Sequence, residues 1–107
     1  MAVQTENKTQ EVKEKQIEKG VVLVGSKPLM KYVSAVVLQF NTENLKQVTI
    51  RSRGKFISKA VDVAEVVRNK FLKDKNLKSK VSIGTENFTD KAGKQLSIST
   101  IEIVLEV

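Results

Sequence analysis

The sequence has no cysteine, no histidine and no tryptophan, and it has a single proline among its 107 residues. Without cysteine there are no disulfides and no thiol nucleophile, and without histidine as well the usual zinc ligand sets and imidazole-based triads are excluded. No run of about 18 apolar residues is present, so a membrane-spanning helix is excluded. The first residues also lack the apolar segment of a secretory signal, and we expect a protein of the reducing cytoplasm.

Positive charge is the most informative property that remains. Lysine and arginine number 19 against 12 acidic residues, which gives a net charge of +7. Four lysines and four glutamates cancel within residues 1–19, so the whole excess belongs to residues 20–107. A basic domain of this size predicts a polyanionic partner, of which nucleic acid is the commonest. The alternative is a lysine-rich surface that confers only solubility, as thermophile proteins also show.

The chain divides into a tail and one domain. Residues 1–19 have no sustained apolar periodicity, which predicts a flexible charged tail, and residues 20–107 carry the apolar patterns of a domain. The domain opens with a continuous, mostly β-branched apolar run at residues 21–24, which predicts a strand buried on both faces. Pro28 then suits the first turn of a helix. The apolar stripe of this helix consists of Leu29, Val33, Val36, Val37 and Phe40.

A second strand and helix follow. Residues 47–51 alternate as a half-buried strand, and a polar, basic loop spans residues 52–57. Ser58 is a credible N-cap, which predicts that the second helix begins there. The apolar stripe of that helix consists of Ala60, Val63, Ala64, Val67 and Phe71.

Two further strands complete the domain. Residues 81–85 alternate in the first of them. In the second, Leu96 and Ile98 alternate in one phase and residues 101–105 in the opposite phase. A period-two pattern keeps its face unless a residue is inserted, so we predict a bulge or sharp twist at Ser99–Thr100.

The resulting order is β-α-β-α-β-β, an α+β fold of two layers. Its two crossovers imply parallel pairing in the first part, and a C-terminal β-hairpin ends the sheet. Residues 86–97 are too polar to be all core, so the tip of the hairpin is expected to protrude as an arm about 20–25 Å long. Lys91 and Lys94 lie at this tip, either to reach into a groove or as ordinary solvated residues.

Three segments carry a resemblance to a known family. Residues 21–33 read VVLVGSKPLMKYV, residues 50–62 read IRSRGKFISKAVD, and residues 99–103 read STIEI. Each is weak alone, but in this order and spacing they resemble the Alba family of small archaeal chromatin proteins. The resemblance covers about residues 20–107 and leaves the tail outside it.

The resemblance has consequences for both fold and function. It implies a compact fold similar to the C-terminal domain of a bacterial translation initiation factor, and a protein associated with the chromosome. It also implies a homodimer that coats and compacts double-stranded DNA without strong sequence preference, and that in many members binds RNA. In that picture the body of the dimer lies over the DNA backbone and the two arms reach toward the minor groove.

The candidate nucleic-acid-binding residues join the basic pattern to this resemblance. The loop at residues 25–27 enters a helix whose first N–H groups are unpaired and attract an anion. Arg51 and Arg53 alternate on an extended segment and so point the same way, and their planar guanidinium groups suit phosphate oxygens. The full set is Ser26, Lys27, Lys31, Arg51, Arg53, Lys55 and Lys59 in the domain, with Lys91 and Lys94 in the arm.

Two positions depart from the pattern of the family. Ser26 stands where many members have the first of two lysines, a reported acetylation target, which puts that regulation in doubt here. Ser97 stands where a basic residue of the last strand is common, so the resemblance implies a weaker grip by this arm.

An enzyme is the alternative of a different class. Asp62 and Glu65 lie three residues apart on the second helix and could share a face for Mg²⁺, as a metal-dependent nuclease would need. Such a charged helix surface is more often a set of solvated ion pairs. With no histidine and no cysteine, we expect no enzymatic activity, no metal and no cofactor.

RNA as the principal ligand is the second alternative. Tyr32 and Phe56 lie beside basic residues and are candidates for stacking on unpaired bases. Tyr32 equally fits packing against the tail, and Phe56 a dimer contact; the residues alone do not rank DNA above RNA. Phe71, with Leu72, is either an exposed apolar edge through which dimers meet on DNA or part of the monomer core.

Overall fold

A computed structural model describes residues 19–107 of the chain. The predicted tail, apart from Lys19, lies outside these residues, and the domain boundary at residue 20 stays a prediction. In chain order the elements are β1 (Val21–Leu23), α1 (Leu29–Asn41), β2 (Gln47–Arg53), α2 (Ile57–Val66), β3 (Lys78–Thr89) and β4 (Gln95–Glu106).

The four strands form one sheet in the order β1-β2-β4-β3. β1 is parallel to β2, with Val22 opposite Ile50, whereas β4 is antiparallel to both of its neighbours. The second crossover therefore makes β3 parallel to β2 without making them adjacent, because β4 is inserted between them. The predicted α+β order with a C-terminal hairpin is confirmed.

Both helices pack on one face of the sheet. α1 contacts β1 and β2, and α2 contacts β2 and β4. The helical stripes and every second residue of β2 and β4 form the core between the layers, as the two apolar periodicities predict. Its fully buried members include Val33, Val36, Phe40, Val48, Ile50, Val63, Val67 and Leu105. No helix in residues 19–107 is long and apolar enough to cross a bilayer.

β3 lies beyond the helical layer, and all of its residues are exposed. Val81 pairs with Ile103 and Ile83 pairs with Ile101, so β3 continues the face of the sheet that the helices cover. The two β4 residues are buried, whereas Val81 and Ile83 are 60% and 82% exposed. The apolar face of the sheet thus extends past its cover in the single chain.

The prediction that the first strand is buried on both faces is wrong. Val22 is buried, but Leu23 points away from the helices and is 47% exposed. β1 is an edge strand with β2 as its neighbour, and the helices cover one side of the sheet only. A continuous apolar run therefore does not by itself prove double burial.

Of the two alternatives predicted at Ser99–Thr100, the bulge is wrong and the sharp twist stays a prediction. The β3–β4 ladder runs without interruption from Lys78 opposite Glu106 to Thr89 opposite Gln95. The apolar residues change from one face of β4 to the other because the two halves of the strand pack against different parts of the structure. Ile101, Ile103 and Leu105 face the core, whereas Ile98 lies on the other face of the strand, close to Gly54 after the end of β2.

The predicted N-cap at Ser58 is wrong as well. A 3-10 turn at Gly54–Phe56 runs directly into α2, so Phe56 precedes the helix and Ser58 lies inside it. Gly54 permits this sharp start, because its φ is +60° and a Cβ there would lie 2.8 Å from Ile98 Cδ1. No side chain caps either helix at its N-terminal end.

Candidate nucleic-acid interface

The carboxyl ends of β1 and β2 meet at one edge of the sheet because the two strands are parallel. The Val24 N–H donates to Arg51 O at 2.8 Å, which fixes the start of the loop at residues 25–27 beside β2. α1 begins just after this loop, and α2 follows the end of β2 through the 3-10 turn Gly54–Phe56. We call this region the basic edge. Its candidate residues are Ser26, Lys27, Lys31, Arg51, Arg53, Lys55 and Lys59.

Lys59 connects the two halves of the basic edge. From the first turns of α2, its Nζ donates to Gly25 O at 2.9 Å and to Lys27 O at 2.7 Å. The same ammonium lies 5.9 Å from the centroid of the Tyr32 ring and 5.5 Å from that of Phe56, within cation–π range. Two of its three donors are therefore directed at the loop, so Lys59 first shapes the site; its phosphate contact stays a prediction.

Tyr32 supports the same loop from α1. Its ring is buried, and its Oη accepts a hydrogen bond from the Lys27 N–H at 3.0 Å. A buried ring offers no free face to a base, so the stacking hypothesis does not hold for Tyr32 in the single chain. The tail, against which Tyr32 was also a candidate to pack, lies outside the described residues.

Phe56 lies between two cations in the 3-10 turn. Lys55 Nζ is 5.4 Å from its ring centroid, and Lys59 is close to the same ring. The ring is half-buried. Its role as a platform for a base or as a dimer contact stays a prediction.

Arg51 and Arg53 lie on the face of the sheet away from the helices. The intervening Ser52 is buried and donates to Val24 O, which fixes the alternation that directs both arginines outward. Sequence reasoning placed this pair correctly on one face but missed its acidic neighbours. Arg51 Nε is 2.7 Å from Glu102 Oε2, and Arg53 Nη1 is 2.5 Å from Glu86 Oε1.

These four side chains help to line a groove of about 680 Å³ across β2, β4 and β3. Glu102 lies directly opposite Arg51 in the β2–β4 register. Aligning residues 47–53 against 100–106 would have found this pair, because both segments have clear strand patterns. Glu86 is reached diagonally across β4, and no local pattern in the sequence signals that contact.

The hairpin continues past the last β2 residue as a two-stranded arm. β2 pairs with β4 only as far as Arg53 opposite Thr100, so residues 85–99 extend beyond it. At the tip the Asp90 carboxylate accepts hydrogen bonds from the N–H groups of Ala92 and Lys94, each at 2.9 Å. Lys91 and Lys94 are both exposed in this turn, where the sequence places them.

Glu65, one of the two carboxylates considered for Mg²⁺, is engaged by neighbours on its own helix. Glu65 accepts from Arg68 Nη1 at 2.8 Å and from the Asn69 amide at 3.2 Å, which are helical ion-pair and amide contacts. Within residues 19–107 there is no group of three or more side chains that could hold a metal ion.

Phe71 and Leu72 have different surroundings. Leu72 is buried in the core, whereas Phe71 is 50% exposed at the end of the π-helical turn Val67–Phe71. Phe71 lines a shallow apolar pocket with Met30 and Leu38 of α1, both about half exposed. The exposed-edge interpretation therefore fits Phe71 and the core interpretation fits Leu72.

Fold and site together define a two-layer α+β domain with a basic edge and a β-hairpin arm. The sequence model of the Alba family matches residues 20–85, and the chain belongs to this family. Proteins described as DNA/RNA-binding protein Alba are 48% identical in Methanocella arvoryzae and 45% identical in Methanococcus maripaludis. These two alignments cover 83% and 80% of this chain and 91% and 96% of the relatives.

Solved structures show the same architecture. Alba from Thermoplasma volcanium is 45% identical, with a TM-score of 0.73 over 81% of this chain and 99% of that one. The ALBA1 protein from Trypanosoma brucei has a TM-score of 0.60 over 83% of this chain and 69% of that one. At 22% identity, the latter likeness concerns the fold alone.

Proposed function

We propose that this protein binds double-stranded DNA through its phosphate backbone, without sequence preference, and compacts it as a chromosome-associated homodimer. The observation that carries the proposal is the basic edge, where the loop after β1, the end of β2 and the start of α2 meet. Relatives at 44–48% identity are described as DNA/RNA-binding, which supports the same ligand class here.

The basic edge offers complementary groups to a phosphate. The start of α1 has no side-chain cap, so its first N–H groups and the positive end of the helix dipole face the loop that carries Ser26 and Lys27. Lys55 and Lys31 are exposed on either side of this loop, and the arginines add planar donors. In this proposal the groups contact backbone oxygens rather than base edges, and contacts of that kind carry no sequence information.

The arm supplies a second contact. From Thr85 opposite Ser99 to Thr89 opposite Gln95 it comprises five residue pairs, or about 17 Å before the turn. Two strands with small and polar outer residues, such as Asn87 and Ser97, fit into a groove of the duplex. Lys91 and Lys94 then reach phosphates at the groove walls.

A second copy of the chain covers the open apolar face of β3 in this proposal. Val81 and Ile83 extend the core face without a helical cover, and β3 is itself an edge strand. Pairing this face with its own copy buries the same patch on both subunits, which is the arrangement of a two-fold dimer. The dimer has a charge of +14 and brings two basic edges and two arms to one duplex.

RNA is a second ligand through the same phosphate chemistry. The description of the relatives names both nucleic acids. Burial of Tyr32 removes one of the two aromatic rings that a preference for unpaired bases would use, which favours duplex DNA as the first ligand.

The test is a titration of duplex DNA and of structured RNA at stepped salt concentrations. If about six to ten phosphates are contacted, affinity falls roughly 10³- to 10⁵-fold between 50 and 200 mM salt. A flat response to salt contradicts the proposal. Lys27→Ala is expected to weaken binding to all sequences uniformly. Lys73→Ala is the matched control, because it removes the same charge beyond the far end of α2.

A further inference from the structure

Two carboxylates lie among the arginines of the proposed interface. Arg51 is paired with Glu102 and Arg53 with Glu86, and all four side chains are about half exposed. We call these four residues the charged row. They line the same groove on the outer face of the sheet, so a phosphate that approaches either arginine also approaches a glutamate.

We propose that Glu86 and Glu102 compete with nucleic-acid phosphate for Arg53 and Arg51, and thereby limit the affinity and the salt sensitivity of binding. This inference rests on the proposed function, because it concerns the same surface. A carboxylate and a phosphate present similar oxygen acceptors to a guanidinium group. Each glutamate therefore occupies, inside the protein, the place that a phosphate takes in the complex.

The charges of the row support this competition. Two arginines and two glutamates sum to zero, so the row contributes nothing to the net charge of +7. The positive excess of the domain must come from other residues. An approaching duplex meets a locally neutral row. A phosphate attracts an arginine fully only when the glutamate paired with that arginine is displaced.

The geometry also makes displacement feasible. Exposed ion pairs contribute little to stability because water screens both charges, so a phosphate can replace the carboxylate at low cost. Each guanidinium has five N–H donors, and Arg51 uses its Nε and Arg53 its Nη1 for the glutamate. A phosphate can first bind to the remaining donors and then displace the carboxylate, which it repels.

The test uses Glu86→Gln, Glu102→Gln and the double variant. Glutamine keeps the size and one acceptor oxygen of glutamate, so these changes remove the charge while preserving the support of each arginine. Glu65→Gln is the matched control for the single variants, since it raises the net charge by the same one unit and removes the carboxylate charge beside Arg68, which lies on α2's side of the sheet. DNA affinity is measured for all four variants between 50 and 200 mM salt.

We expect each charged-row variant to bind duplex DNA about two- to fivefold more tightly than the Glu65→Gln control at the lowest salt. We also expect a steeper dependence on salt, by up to about 0.9 in log–log slope for each arginine released. Affinities equal to that of the control overturn the inference, because the tighter binding is then explained by the higher net charge alone. Weaker binding also overturns it, since the glutamates then position the arginines. If the unaltered protein itself shows no salt-dependent binding, the proposed function fails instead.

Discussion

Replacing Lys59 by methionine tests whether this residue builds the basic edge or touches phosphate. The change removes two hydrogen bonds from an ammonium to the carbonyls of Gly25 and Lys27, and two cation–π contacts. The methionine side chain keeps an apolar stem of similar length, so packing against Phe56 is largely preserved. The loss of stability therefore measures the contribution of the ammonium group itself.

The magnitude follows from these contacts. Each hydrogen bond contributes about 1 kcal/mol net in a partly exposed site, and each cation–π contact about 0.5 kcal/mol. We expect the free energy of unfolding to fall by about 2–3 kcal/mol, which lowers the Tm of a domain this size by roughly 10–20 °C. Urea denaturation at fixed protein concentration measures the change, since any dimer makes stability depend on concentration.

Lys55→Met is the matched control. It removes the same charge and one cation–π contact with Phe56, but Lys55 is exposed and, within residues 19–107, makes no hydrogen bond to the loop at residues 25–27. We expect a stability loss of about 0.5 kcal/mol together with weaker DNA binding. The reasoning is refuted if Lys59→Met leaves stability unchanged and weakens binding as much as Lys27→Ala, because Lys59 then acts as a phosphate ligand.

Three further changes test the rest of the structure. Ile83→Asp places a charge on the open face of β3, and we expect analytical ultracentrifugation to show a monomer; a dimer of unchanged affinity would contradict the interface. Gly54→Ala forces a Cβ onto Ile98 in a left-handed backbone conformation, so thermal unfolding should show a loss of about 1–3 kcal/mol, whereas no loss would contradict the close approach. Phe71→Ala is expected to cost less than about 1 kcal/mol in stability because the ring is half exposed, and to reduce the cooperativity of DNA binding in a gel-shift titration. If that variant unfolds instead, Phe71 is part of the core.

The periodic elements of this fold could be predicted from the sequence. The stripes of α1 and α2 and the alternation of β2 depend on local spacing, and that spacing also placed Arg51 and Arg53 on one face. The family resemblance is confirmed by the match over residues 20–85, which contain the first two of its three segments. For the helices and strands the information lies within about a dozen neighbouring residues, whereas the resemblance depends on the order and spacing of its segments.

Apart from the N-cap at Ser58, which a local 3-10 turn replaces, the errors concern contacts between distant parts of the chain. Leu23 is exposed because β1 lies at the edge of the sheet, and strand order is not encoded within a strand. The change of phase in β4 looked like a bulge, but it reflects where the helical layer ends. The pairing of Arg53 with Glu86 spans 33 positions and crosses an intervening strand, so no local pattern announces it.

The uninterrupted ladder of β3 and β4 has a mechanical consequence for the arm. Because no extra residue breaks the register between Ile101 in the core and Gln95 beside the tip, the arm has no bulge at which the ladder is locally disrupted. A displacement of the tip is therefore passed along paired strands toward the buried end of β4. In the proposed dimer, the separation of the two arms is then set by the two domains that carry them, and a bound duplex would present its grooves at that separation.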